Sequence, residues 1–278
     1  MRGPLFVSAL RLPKGAGILV AEIREGMVEM QSKSAKPRYA LLDEIRGFDL
    51  VNMFVYHALW DLVFLYGLKA DWYTGWLGRL WQQSGCWLFI LLSGFCLPFG
   101  RRPIQRGAFV FCAGAAVTAV TLAAMPDQPV WFGILTLLGT AMMLTGALLP
   151  LLRRVPPWLG CGVCLGLFAL FYRAGEGWLG FGPWGVALPA ALYANRLTAF
   201  LGFAPKSFYS SDYFPLLPWV FLFWAGVFLH WAVGRHRMEP LRRSVCPALG
   251  WLGRHSLAAY LLHQPLIYGL LLVLDKLF

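Results

Sequence analysis

Residues 46–61 read RGFDLVNMFVYHALWD, and how this stretch is understood decides the fold. It opens the first long apolar segment of the chain while carrying more ionisable groups than such a segment tolerates without a reason. As a helix it places Asp49, Met53, His57 and Asp61 at i, i+4, i+8 and i+12, with Asn52, Tyr56 and Trp60 on the adjoining stripe. Leu50, Val51, Phe54, Val55 and Leu62 cover the remaining surface. At membrane depth, a helix with one polar stripe turns that stripe toward other helices or a wet cavity. Two readings follow. Asn and Tyr suit a hydrogen-bonded seam between helices, whereas a His and an Asp one turn apart point to a functional site.

Composition sets the surroundings for that helix. Of 278 residues, 59% are hydrophobic and 13% charged, about half the charge of a soluble domain. Thirteen Trp and 30 Gly fit an all-α, polytopic membrane bundle, where Trp marks interfaces and Gly lets helices approach closely. The net charge of +11 is better explained by membrane orientation than by nucleic acid, so no nucleic-acid partner is expected. Six scattered Cys give no disulfide or metal pattern. Cys161 and Cys164 have metal-ligand spacing, but they lie in WLGCGVCLGLF, which reads as a packing face of small residues.

Outward from the first segment, seven stretches reach spanning length, about 20 residues for a hydrocarbon core of about 30 Å. They are approximately 47–67, 81–99, 107–125, 130–151, 156–172, 214–233 and 250–274. Basic residues alternate between the connections. Lys33, Lys36, Arg38 and Arg46 precede the first stretch; Arg101, Arg102 and Arg106 follow the second; Arg153 and Arg154 follow the fourth; Arg235, Arg237, Arg242 and Arg243 follow the sixth. The other connections are poorer, holding Lys69 and Arg79, then none, then Arg173, Arg196 and Lys206. The positive-inside rule therefore predicts about seven transmembrane helices, a cytoplasmic N-terminus and an external C-terminus. Residues 1–40 read as a poorly ordered cytoplasmic tail and 41–278 as one membrane domain. Residues 184–203 are apolar enough to tempt an eighth span, but Pro189, Asn195 and Arg196 interrupt them. They are expected to form an external loop with an interfacial or re-entrant helix.

Two further motifs put polar groups at depth. DYFPLLPW, residues 212–219, begins the sixth stretch from the outer side. Asp212 suits a helix N-cap and Pro215 the first turn, while Asp212 and Tyr213 equally suit contact with an external substrate. LGRHSLAAYLLHQP, residues 252–265, places Ser256, Tyr260 and His263 or Gln264 on one face, and Pro265 is expected to loosen the helix there. His230 and His236 read as interfacial. His57 with a carboxylate one turn away has the equipment of a general base oriented by Asp61, and His263 is the competing His. Such a base deprotonates a hydroxyl or amine that then attacks an activated acyl group. The same residues also suit proton or ion translocation.

The Asp43-Glu-Ile-Arg46-Gly47 opening, with ten residues between Arg46 and His57, resembles the first helix of the acyltransferase-3 family. The motifs at 212–219 and 252–265 look more specifically like bacterial relatives of the heparan-α-glucosaminide N-acetyltransferase catalytic domain, with a similarity from about Arg38 to the C-terminus. The resemblance implies transfer of an acyl group, acetyl first among them, from cytoplasmic acyl-CoA to a sugar or glycan beyond the membrane. The animal enzyme carries its catalytic His beyond the first helix. Residues 68–80 contain no His, so the role falls on His57 or lapses. On this reading Arg46, Arg101, Arg102 and Arg254 hold the coenzyme A phosphates. Trp60, Asp212, Tyr213, His263 and Gln264 face the acceptor, in a multi-pass protein of a bacterial inner membrane. No metal is expected, the bilayer is the partner, and there is room for a homodimer. The alternatives are a small transporter or flippase subunit and a non-catalytic membrane partner.

Overall fold

The computed structural model describes residues 38–277, and the side chains of 272 and 274–277 are outside that description. The tail expected over 1–40 therefore lies outside the described residues except at 38–40. Helix α1 (Ala40–Phe64) is followed by a single turn at Asp71–Thr74, then α2 (Trp76–Cys96), α3 (Pro103–Ala124), α4 (Ile134–Leu152) and α5 (Pro157–Phe171). A short hairpin, β1 (Trp178–Phe181) and β2 (Trp184–Ala187), precedes α6 (Leu216–Arg237), α7 (Pro247–Arg254) and α8 (Ser256–Leu277). Among the described residues five helices, α2 to α6, are long and apolar enough to cross a membrane. The helices α1 and α8, of 25 and 22 residues, also reach spanning length and carry the polar motifs.

Helix α6 is the centre of the bundle, packing on α2, α4 and α5. Phe223 and Ile90 are fully buried there, with Leu137, Val220, Leu222 and Val227 nearly so. Two crossings depend on glycine. A Cβ on Gly94 would lie 1.9 Å from the Phe223 carbonyl oxygen, and one on Gly226 2.1 Å from that of Leu91, so α2 and α6 touch backbone to backbone. Gly47 and Gly253 do the same for α1 and α7, at 1.9 Å from Leu249 O and 1.8 Å from Asp43 O. Lipid offers apolar side chains no reason to leave it, so this close approach is what holds such helices together. Cys161 and Cys164 are buried beside Ala225 and Phe228, in the packing role expected of them.

Several expectations need correction. Residues 184–203 contain no α-helix. They hold β2 and two 3₁₀ turns, and β1 pairs with β2 antiparallel in the register Phe181↔Trp184. Gly182, at φ 57, makes the two-residue turn with Pro183, a hairpin signal that the apolar content of the segment obscured. Asp212 does not cap α6. Pro215 and Pro218 keep the chain extended, with Leu217 at φ −95 and ψ 133, so regular helix starts only at Pro218. The last segment breaks at His255 rather than at Pro265. The ring Nδ1 of His255 meets the Trp251 carbonyl at 2.9 Å, and the helix restarts at Ser256 and runs through Pro265. His230 is buried rather than interfacial, with Nδ1 2.8 Å from the Phe95 carbonyl and Phe99 against its ring.

Candidate active site

One face of α1 and one face of α2 supply most of the walls of a cavity with about 690 Å³ of empty space, part of it in the open mouth. From α1 come Asp49, Asn52, Met53, Tyr56 and His57, the stripe read in the sequence. From α2 come Trp81, Gln82, Gly85, Cys86 and Phe89, again one helical face. Ser211, Asp212 and Phe214 close it from the segment before α6, with Ile134 at the start of α4 and Tyr260 on α8.

Asp212 is held by two elements at once. Its Oδ2 accepts the backbone N–H of Ile134, the first residue of α4, at 3.3 Å, and the hydroxyl of Tyr260 at 3.1 Å. It thus satisfies a free amide at the end of a helix other than its own. Surrounding protein pushes the Asp212 carboxyl above its ordinary range, against the pull of the Ile134 N–H and the Tyr260 hydroxyl. The neighbouring connections are stapled around it. Ser211 N–H donates to Pro129 O at 3.0 Å, Trp131 N–H to Ser210 Oγ at 2.9 Å, and Tyr209 OH to Gln128 Oε1 at 2.6 Å. Asn52 Oδ1 accepts Trp81 Nε1–H at 2.5 Å, fixing the indole across the mouth, and Tyr73 OH reaches the Tyr56 carbonyl at 3.0 Å.

The residues expected at the site separate into two groups. His57 and Asp212 line the cavity. Asp61 is fully buried below it, where both carboxylate oxygens accept the amide of Gln264, at 3.1 and 3.2 Å. Among the described residues no hydrogen bond links Asp61 to His57. His263 packs behind His57 with ring centroids 5.0 Å apart, stacked on Phe54. Trp60 packs on Phe64, and Tyr213 donates to the Ala199 carbonyl at 2.5 Å, so neither lines the cavity. Trp81, Cys86 and Ser211 had no signal in the sequence; they join the wall only because α2 and the 208–214 segment pack there.

At the opposite end of α1, Arg46 donates to Asp43 at 3.1 Å and to the Gly253 carbonyl at 3.4 Å, next to exposed Arg254. Arg46, Asp43 and Arg106 all lie within electrostatic reach of the Cys96 thiol at the end of α2. Arg101 and Arg102 are exposed at the start of α3. Arg46 near the start of α1, Arg101, Arg102 and Arg106 around the start of α3, and Arg254 at the end of α7 thereby gather at one end of the bundle.

Apolar helices with lipid-like surfaces, exposing Phe109, Val120, Leu159 and Val163, around a buried polar cavity define a multi-pass membrane protein with an internal site. Comparison with protein families gives the class its name: residues 38–265 match the model described as heparan-alpha-glucosaminide N-acetyltransferase, catalytic, and the chain belongs to that family. It is by class a membrane acetyltransferase. Comparisons with curated proteins and with solved structures found no match.

Proposed function

We propose that the protein moves an acyl group, acetyl in the first instance, from cytoplasmic acyl-CoA to a hydroxyl or amine of a sugar or glycan at the outer face of a bacterial inner membrane. The observation that carries this reading is His57 on the wall of a cavity shared with Asp49, Asp212 and Tyr260. The acceptor's O–H or N–H gives its proton to His57, and the freed lone pair attacks the thioester carbonyl. The C–S bond breaks, and the thiolate leaves to take up the proton. Asp49, Asn52 and Asp212 supply polar contacts for a hydroxylated acceptor, with Trp81 a flat apolar surface beside them.

The donor's phosphates are assigned to the convergent basic end, with Arg254, Arg101 and Arg102 free to reach them. Arg46 contributes while also fastening α1 to α7. The test is purified protein in detergent with acetyl-CoA and a panel of mono- and oligosaccharides, following thiol release. Acceptor-dependent thiol release supports the reading. Movement of a saccharide across vesicles without thiol release would replace it with the transporter.

A further inference from the structure

Among the described residues no carboxylate is hydrogen-bonded to His57, and the position behind it is occupied by a second imidazole. His263 is buried, its ring enclosed by Phe54, Tyr260 and His57, with centroid separations of 5.5, 5.3 and 5.0 Å. Its Nδ1 meets the carbonyl of Tyr260 at 2.5 Å. A carbonyl only accepts, so Nδ1 carries the hydrogen, and in the neutral ring Nε2 is then a lone-pair acceptor. Among the described residues that Nε2 is buried without a hydrogen-bond partner. An unpaired acceptor in such a place is costly, and native structures retain one where function uses it. Two imidazoles joined by an N–H···N bond of about 2.9 Å sit with centroids about 5 Å apart, the separation already present. The rings are inclined at 58°, and the bond itself is not formed in this arrangement.

Resting on the assignment of His57 as the base, we propose that His263 is its positioning residue: the free Nε2 accepts the N–H of His57, fixing the tautomer whose other nitrogen is bare toward the cavity. The chain of constraint is then Tyr260 carbonyl to His263 to His57 to the acceptor proton. It stands in place of the His–Asp pair expected from spacing, while Asp61 is hydrogen-bonded to Gln264. His263 is not among the residues that line the cavity, so it is placed to act through His57.

With only five His in the chain, the ring nitrogens can be assigned by single substitutions. Protein labelled with ¹⁵N-histidine is compared as wild type, His263→Phe and His263→Gln, the Gln placing an amide oxygen near the former Nε2. Wild type is expected to show His263 protonated at Nδ1 and His57 as one tautomer. His263→Phe should give mixed His57 tautomers and a kcat lower by about 10–100-fold with KM within about twofold. His263→Gln should restore the single tautomer and most of kcat. A His57 tautomer unchanged in His263→Phe, or a KM rising in step with the loss of kcat, overturns the proposal. Wild-type protein that transfers no acetyl group to any acceptor sinks the acetyltransferase reading instead, while the tautomer spectra still judge the histidine pair.

Discussion

His57 and Asp61 stand one turn apart on α1, but the structure gives them different partners, and substitutions at each should separate their roles. His57→Ala is expected to lower turnover by about 10²–10⁴-fold, the usual worth of a positioned general base, with acyl-CoA binding and the folded yield unchanged. Near-wild-type turnover would remove His57 from the chemistry. For Asp61 the buried amide of Gln264 decides. Its Oε1 has no partner among the described residues, while its NH₂ serves both Asp61 oxygens. Asp61→Asn keeps an acceptor for that NH₂ and adds a donor for Oε1, so thermal stability should hold or rise and kcat should stay within about threefold. Asp61→Ala leaves the amide unpaired and should cost about 1–3 kcal/mol in denaturation. A collapse of kcat in Asp61→Asn with stability intact would restore Asp61 as the residue that orients His57. The stripe containing His57, Asp49 and Asn52 was legible from helical spacing alone. Spacing could not say which neighbour would take Asp61, because Gln264 lies some two hundred residues away in the chain.

Elements meet at two kinds of joint, one built from glycine and one from a buried acid. Glu44 on the first turns of α1 accepts the Ser244 hydroxyl at 2.5 Å and the Val245 N–H at 2.9 Å, tying α1 to the segment before α7. The Ser244 hydroxyl in particular holds the Glu44 carboxyl below its ordinary range. The ionised form is therefore favoured in the folded state. That contribution is complete above the unfolded carboxylate value, about 4.3, and is lost as pH falls through the lower folded value. Melting temperature should fall more steeply over this acid window in wild type than in Glu44→Gln, and equal slopes would contradict the joint. At the glycine joint, Gly226→Val sets a side chain against the backbone of Leu91 and Phe95. Separating α2 from α6 should cost more than the 1–3 kcal/mol typical of overpacking, seen as loss of monodisperse protein in detergent. Gly269→Val, where a Cβ meets nothing within 4 Å, is the control. Every expected apolar segment is occupied by a helix, since length and hydropathy suffice for that. The partners of Gly226, the hairpin at 178–187 and the capping of α4 by Asp212 depend on contacts between distant parts of the chain.

For the molecule as a whole, the side on which each connection lies follows from how neighbouring helices run. Near the end of α5, Phe168 meets Trp219 and Phe171 meets Phe221, both at 5.6 Å, close to the start of α6. Near the start of α5, Gly160 lies under Phe228, well along α6. The two helices are thus antiparallel, and residues 172–215 leave and return at the same end of the bundle. The segment before α6 is stapled to residues 128–131 at that end. The other end gathers Asp43, Glu44, Arg46, Arg106 and Ser244. Basic residues crowd the second end, which the positive-inside rule predicts to be the cytoplasmic one. Reporter fusions after Arg102, Arg154 and Arg243 are therefore expected to report cytoplasm, and those after Asp71, Asp127 and Phe278 the outside. Seven crossings give this alternation only if residues 172–215 do not cross. A cytoplasmic reporter after Phe278, with the Arg243 fusion external, would require that they do. It would move the Arg235–Arg243 cluster away from Arg46, and the donor site proposed at the basic end would fall with it.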